Sequence, residues 1–126
     1  MLREKLAENQ GALTYRPLSM LRKTQEGSAR AWVFRARRQY KSFTVELHGK
    51  TPIPYVQLTD TGNIDPLISD LARPLLLAGL DAWSTWAWLT NPSGYLSGDI
   101  PALVSKADAT RANKAAARYA AAILDA

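Results

Sequence analysis

Apolar and polar positions along this chain change period several times, and each change marks an element. Ala29, Trp32, Val33, Ala36 and Tyr40 recur at i, i+3, i+4, i+7 and i+11, one face of a helix from about Ala29 to Lys41. Before it, Gln25-Glu-Gly-Ser28 reads as a turn, with Gly27 free to take a positive φ and Ser28 a favoured N-cap. A shorter segment, Leu18 to Thr24, follows Pro17. From Phe43 the period becomes two: Phe43, Val45 and Leu47 alternate with Thr44, Glu46 and His48, as in a half-buried strand. His48-Gly-Lys-Thr51 predicts a turn and Ile53 to Leu58 the returning strand, at an edge because Pro52 and Pro54 have no N–H for a ladder. Residues 1–16 carry a weak stripe (Leu2, Leu6, Leu13) and read either as a short helix or as an arm that orders on binding.

The second half is helical in pattern. Thr59-Asp-Thr-Gly-Asn63 is a turn cluster, and Asp65-Pro66 opens a helix as N-cap and first residue. Leu67, Ile68, Leu71, Leu75 and Leu76 form its stripe, with Pro74 expected to kink or divide it and Gly79 to end it. Trp83, Trp86, Ala87 and Leu89 predict a short apolar helix stopped by Asn91-Pro92. Gly94 and Gly98 give a tight connection, and Pro101 suits the first turn of a helix from Ile100 to Val104. Asp108 can cap an alanine-rich helix with Ala115, Tyr119, Ala122 and Ile123 on one side and Arg111, Lys114 and Arg118 on the other. The expected fold is mostly α with one β-hairpin. A helix-turn-helix or winged-helix-like half spans residues 1–60 and a helical half residues 61–126, together one compact unit.

Composition narrows the classes. A chain of 126 residues with 47% hydrophobic residues can bury a real core. With no cysteine there are no disulfides and no thiolate metal sites, which suits a reducing compartment. No apolar stretch approaches a membrane span or a signal peptide, so the expectation is a soluble, cytoplasmic protein with no membrane partner. Charge is the sharper signal. Residues 1–50 hold eleven Lys/Arg against four acids, whereas residues 51–126 hold five against seven. The first half is therefore suited to a polyanion. Arg30, Arg37, Arg38 and Lys41 lie opposite the apolar face of the 29–41 helix, with Arg35 near its edge, which makes these five the candidate DNA-phosphate contacts.

Catalytic chemistry is not indicated. His48 sits in a predicted turn without a partner nucleophile, and the seven aspartates are scattered as caps and turns. Gly-Lys-Thr at 49–51 lacks the remainder of a phosphate-binding loop. The tryptophans, three of them in one apolar helix, are most simply core. No cofactor or metal is expected, and the chain is not expected to be an enzyme.

One stretch carries a resemblance. Trp88-Leu89, Pro92, Leu96, Gly98 and Pro101, then Leu103-Val104, resemble the W-L-x-x-P-N-x-x-L-x-G-x-x-P-x-x-L signature of the Xre/MbcA/ParS toxin-binding domain of bacterial type II antitoxins. Ser93 stands where that signature has asparagine, with an asparagine at Asn91 instead. Pro54-Tyr-Val-Gln57, then Asp60 and Gly62, is similar to an element that precedes this domain in some members. The resemblance covers about residues 28–124 and is strongest over 83–104. It implies an antitoxin that occludes the active site of a cognate toxin, typically a RES-domain enzyme that consumes NAD. Its implied toxin-binding residues are Asn91, Ser93, Tyr95 and Leu96 of the connection, with Ile123, Leu124, Asp125 and Ala126. Binding to operator DNA for autoregulation, and a homo-oligomer or a hetero-oligomer with the toxin, complete this expectation. The alternative is a stand-alone DNA-binding transcriptional regulator whose helical half dimerises.

Overall fold

The computed structural model describes residues 2–126 and is mostly helical, with one two-stranded antiparallel sheet. The chain divides into two compact units after Asp65.

The first unit opens with α1 (Leu2–Gln10), which buries none of its residues. Gly11, at φ +78°, ends it, and Ala12–Leu13 (β1) pairs with Ile53–Pro54 (β2). Leu13 thus belongs to a strand and not to a helical stripe. α2 (Tyr15–Arg22) and α3 (Glu26–Arg38) pack together across a three-residue connection. Lys23, not Gly27, makes the reversal. It takes φ +57°, and the N–H groups of Lys23 and Thr24 donate to the carbonyls of Met20 and Ser19 at 3.2 and 2.9 Å. That closure is complete before Ser28, so α3 starts at Glu26, with Gln25 as its cap and an acid in the positive first turn. Tyr40 closes α3 the same way at φ +56°, with its N–H donating to the Arg37 carbonyl and that of Lys41 to Ala36. The helix therefore ends at Arg38, and Tyr40, expected on the buried face, is 44% exposed. Leu18, Ala29, Val33, Ile53 and Leu58 form the core, with Leu13, Tyr15 and Trp32 packed against it.

The expected hairpin is reduced to its tip. Leu47 and Lys50 exchange both backbone bonds around His48-Gly49, both at positive φ, and the Val45 N–H donates to the Pro52 carbonyl at 3.1 Å. Pro52 and Pro54 have no N–H to return, so the ladder stops there. Farther along, a buried side chain replaces the strand. Gln57 Oε1 accepts from the Phe43 N–H (3.0 Å) and the Ser42 hydroxyl (3.0 Å), while Nε2 donates to the Phe43 carbonyl (2.8 Å). Residues 43–47 are consequently extended without being a strand, and Tyr55–Gln57 is a 3₁₀ turn.

The second unit has four helices: α4 (Pro66–Leu77), α5 (Ala82–Thr90), α6 (Pro101–Ala107) and α7 (Ala109–Leu124). α4 runs undivided through Pro74; the carbonyl this proline leaves unpaired is that of Asp70, an exposed residue. Gly79, at φ +92°, closes α4, with the Leu80 N–H donating to the Leu75 carbonyl. Asp81 caps α5, and Asp108 both ends α6 and caps α7. α7 packs on α4 and α6, burying Ala112, Ala115, Ala116 and Ala120, so its inner face is shifted from the expected one and Ala122 is exposed. Ile68, Leu71, Leu75, Trp86, Leu89 and Leu96 are the largest buried apolar side chains.

Candidate functional site

Two surfaces follow from these units. On α3, the expected cations Arg30, Arg35, Arg37, Arg38 and Lys41 are all exposed. At 100° per residue, Arg30, Phe34, Arg38 and Arg35 span an arc of about 140° on the side away from Ala29, Val33 and Ala36. Arg37 lies on the flank, about 40° from Val33, and Lys41 lies past the helix end. Glu26, in the first turn, is the only acid of the helix. Like charges this close repel one another and are relieved when phosphates replace their counterions. Phe34 adds an aromatic that the charge pattern does not mark. It is 56% exposed in the middle of the cationic arc, and the Arg38 guanidinium lies 5.9 Å from its ring. An aromatic off the apolar face and four residues from an arginine on either side is the signal that would have found it.

The corner between α5 and α6 is knotted at Ser93. Its N–H donates to the Asp99 carbonyl, its carbonyl accepts from the Leu96 and Gly98 N–H groups, and its hydroxyl accepts from the Tyr95 N–H at 3.2 Å. The residue that departs from the signature thus caps the 3₁₀ turn Gly94–Leu96. Asn91 Nδ2 donates to the Ala87 carbonyl at 2.7 Å, at the end of α5. Arg111 ties the corner to α7, with Nη1 donating to Asp99 Oδ2 (3.0 Å) and Nη2 to the Leu96 carbonyl (2.9 Å). Of the expected partner contacts, Ser93 and Leu96 are buried and their side chains serve the corner itself. Asn91 is exposed, and Tyr95 is half-buried in an aromatic row. Its ring stacks on Tyr119 at 5.6 Å, Tyr119 meets Trp88 at 5.7 Å, and Arg118 lies 5.5 Å over Tyr95. Ile123 is half-buried, whereas Leu124, Asp125 and Ala126 are exposed. Beside the knot is an apolar groove of about 470 Å³, lined by Pro92, Ile100, Leu103, Val104 and Ala107, with Leu103 61% exposed.

No protein-family model matches this chain, and neither a curated protein nor a solved structure is detectably similar to it.

His48 occupies the hairpin turn, exposed. Among the described residues no three of His, Cys, Asp or Glu come together as metal ligands would. Among them, too, no helix is long and apolar enough to cross a membrane. Arg22, counted with the basic residues of the first half, is internal in function. Its guanidinium covers Trp32 and bonds the 62–63 turn, and burial pushes its pKa below the usual arginine value.

Proposed function

We propose that this chain is an antitoxin-like binding protein. Its second unit docks on a cognate protein toxin, of the RES type by the resemblance of residues 88–104, and covers that toxin's active site. Its first unit binds operator DNA. The observation that carries the reading is the corner at residues 88–104. Ser93 and Arg111 hold it closed through hydrogen bonds, while Tyr95 stays half-exposed and Leu103 lines an apolar groove. Rigid corners with a half-exposed aromatic and a desolvatable groove are what partner surfaces use as anchors. The test is to purify the tagged full chain from its native host, identify stoichiometric partners by mass spectrometry, and repeat with Tyr95→Ala plus Leu103→Glu. A small enzyme that co-elutes with the unaltered chain and is lost from the double variant supports the reading; an enzyme retained by that variant overturns the assigned surface.

A second reading, a stand-alone DNA-binding regulator, is favoured by the exposed cations of α3 around Phe34. A chain that binds duplex DNA with a steep salt dependence and brings down no protein is such a regulator.

A further inference from the structure

A groove of about 670 Å³ opens in the first unit, lined by Tyr15 and Arg16 of α2, Glu26 and Arg30 of α3, and Lys50 and Thr51 of the hairpin. Three cations meet one carboxylate there. The groove is braced. The Tyr15 hydroxyl and Thr51 Oγ1 are 3.2 Å apart, joining α2 to the hairpin, and the Arg30 guanidinium lies 4.3 Å over the Tyr15 ring. Lys50 follows a tight turn whose two central residues, His48 and Gly49, are both at positive φ, and it exchanges two backbone bonds with Leu47. Its main chain is thus held in a closed turn, from which the lysine stem reaches the groove.

We propose that this groove holds backbone phosphate of a nucleic acid, with Arg16, Arg30 and Lys50 as the contacts, extending the cationic arc of α3 beyond the helix. The inference rests on the DNA-binding part of the function proposed above, and it adds Arg16 and Lys50 to that surface. Continuity argues for a polymer over a free anion. Arg30 belongs both to the groove and to the arc, and Arg37 lies seven residues farther, about 10 Å along the helix axis. That distance is roughly three base-pair rises, so one duplex reaches both ends, which a single phosphate does not.

The experiment is fluorescence anisotropy of the full chain with a 24-base-pair duplex of arbitrary sequence, since phosphate contacts do not require an operator. It is repeated across a salt series for the unaltered chain, Arg16→Ala plus Lys50→Ala, Arg37→Glu plus Arg38→Glu, and Lys106→Ala as a surface control in the other unit. Thermal melts by circular dichroism verify folding. Loss of two phosphate contacts lowers the slope of log K against log salt by about 1.8 and weakens binding roughly 10- to 60-fold near 0.1 M salt, uniformly across sequences. Inorganic phosphate is titrated in parallel by NMR. An unchanged slope for the Arg16/Lys50 variant, with binding abolished by Arg37/Arg38 reversal, overturns the groove and leaves the DNA reading standing. Millimolar inorganic phosphate that shifts the Lys50 and Thr51 amides without weakening duplex binding makes this a free-anion site and also overturns the proposal. A chain that binds no duplex at low salt removes the DNA reading, and the groove with it.

Discussion

The guanidinium carbon of Arg22 lies 3.4 Å from the centroid of the Trp32 ring, and the same side chain donates from Nη1 to the Gly62 carbonyl (2.9 Å) and to Asn63 Oδ1 (3.0 Å). One arginine therefore joins α2, α3 and the 59–63 turn. Arg22→Ala removes a cation–π contact and two charge-assisted bonds at once, and is expected to lower unfolding free energy by about 2–3 kcal/mol. Arg22→Lys keeps the charge but not the planar stack and recovers less than half of that. Urea denaturation of the pair checks both values.

Gly62 meets the same side chain. It is at φ +79°, and a Cβ there would stand 2.8 Å from Arg22 Cγ. Gly49 is at φ +75° with open space around it. Gly49→Ala is expected to cost about 1 kcal/mol from backbone strain alone, and Gly62→Ala at least twice as much because Arg22 must also move. Equal losses in denaturant melts would remove the steric part of this account.

Gln57 replaces a stretch of β-ladder with one amide. Gln57→Leu fills the volume but leaves the Phe43 N–H and carbonyl buried without partners, a loss of about 2–4 kcal/mol. Hydrogen exchange at the Phe43 amide should accelerate in the variant, and an unchanged rate would count against the pairing.

Lys23 holds a left-handed conformation that glycine adopts without strain. Lys23→Gly is therefore expected to raise stability by up to about 1 kcal/mol, while a drop would mean that the lysine side chain contributes something beyond the turn.

Asp99 and Arg111 test how the corner is held. Their ion pair is 59% and 42% exposed, so Asp99→Ala should change stability by no more than about 0.5 kcal/mol. Arg111→Ala also removes one of the two donors to the Leu96 carbonyl, which keeps the Asp99 N–H, and should cost about 1 kcal/mol. If the two variants lose equally, the exposed pair matters more than its solvation suggests.

Periodicity made the inner face of α3, the stripe of α4 and the α5–α6 corner legible, because a helix of three turns displays its apolar residues several times. The sequence-distant pairings were not legible. Ala12–Leu13 finds Ile53–Pro54 some forty residues away, and nothing in either dipeptide names the other. Lys23 and Tyr40 close helices where glycine is the usual signal, so periodicity alone starts α3 too late and carries it too far. The 43–47 alternation of residue types suggests a strand, yet Ser42, Phe43, Thr44 and Val45 are all buried, and the Phe43 backbone pairs with the Gln57 amide where a strand would stand. At the candidate surfaces, the α3 cations were legible from charge, while Phe34 and the groove of Tyr15, Arg16 and Lys50 needed the fold to bring them out.

The four buried alanines of α7 carry a consequence for motion. A helix anchored by methyl groups receives its fixation from the larger side chains of its neighbours, and here that contact ends at Ala120. Beyond it, Ile123 is the single half-buried anchor, with Ala121, Ala122, Leu124, Asp125 and Ala126 exposed. The last turn of α7 should thus open locally at little free-energy expense, and its amides should exchange fastest in that helix. Fraying there leaves the Trp86 core intact, so residues 121–126 can change conformation without unfolding what lies beneath.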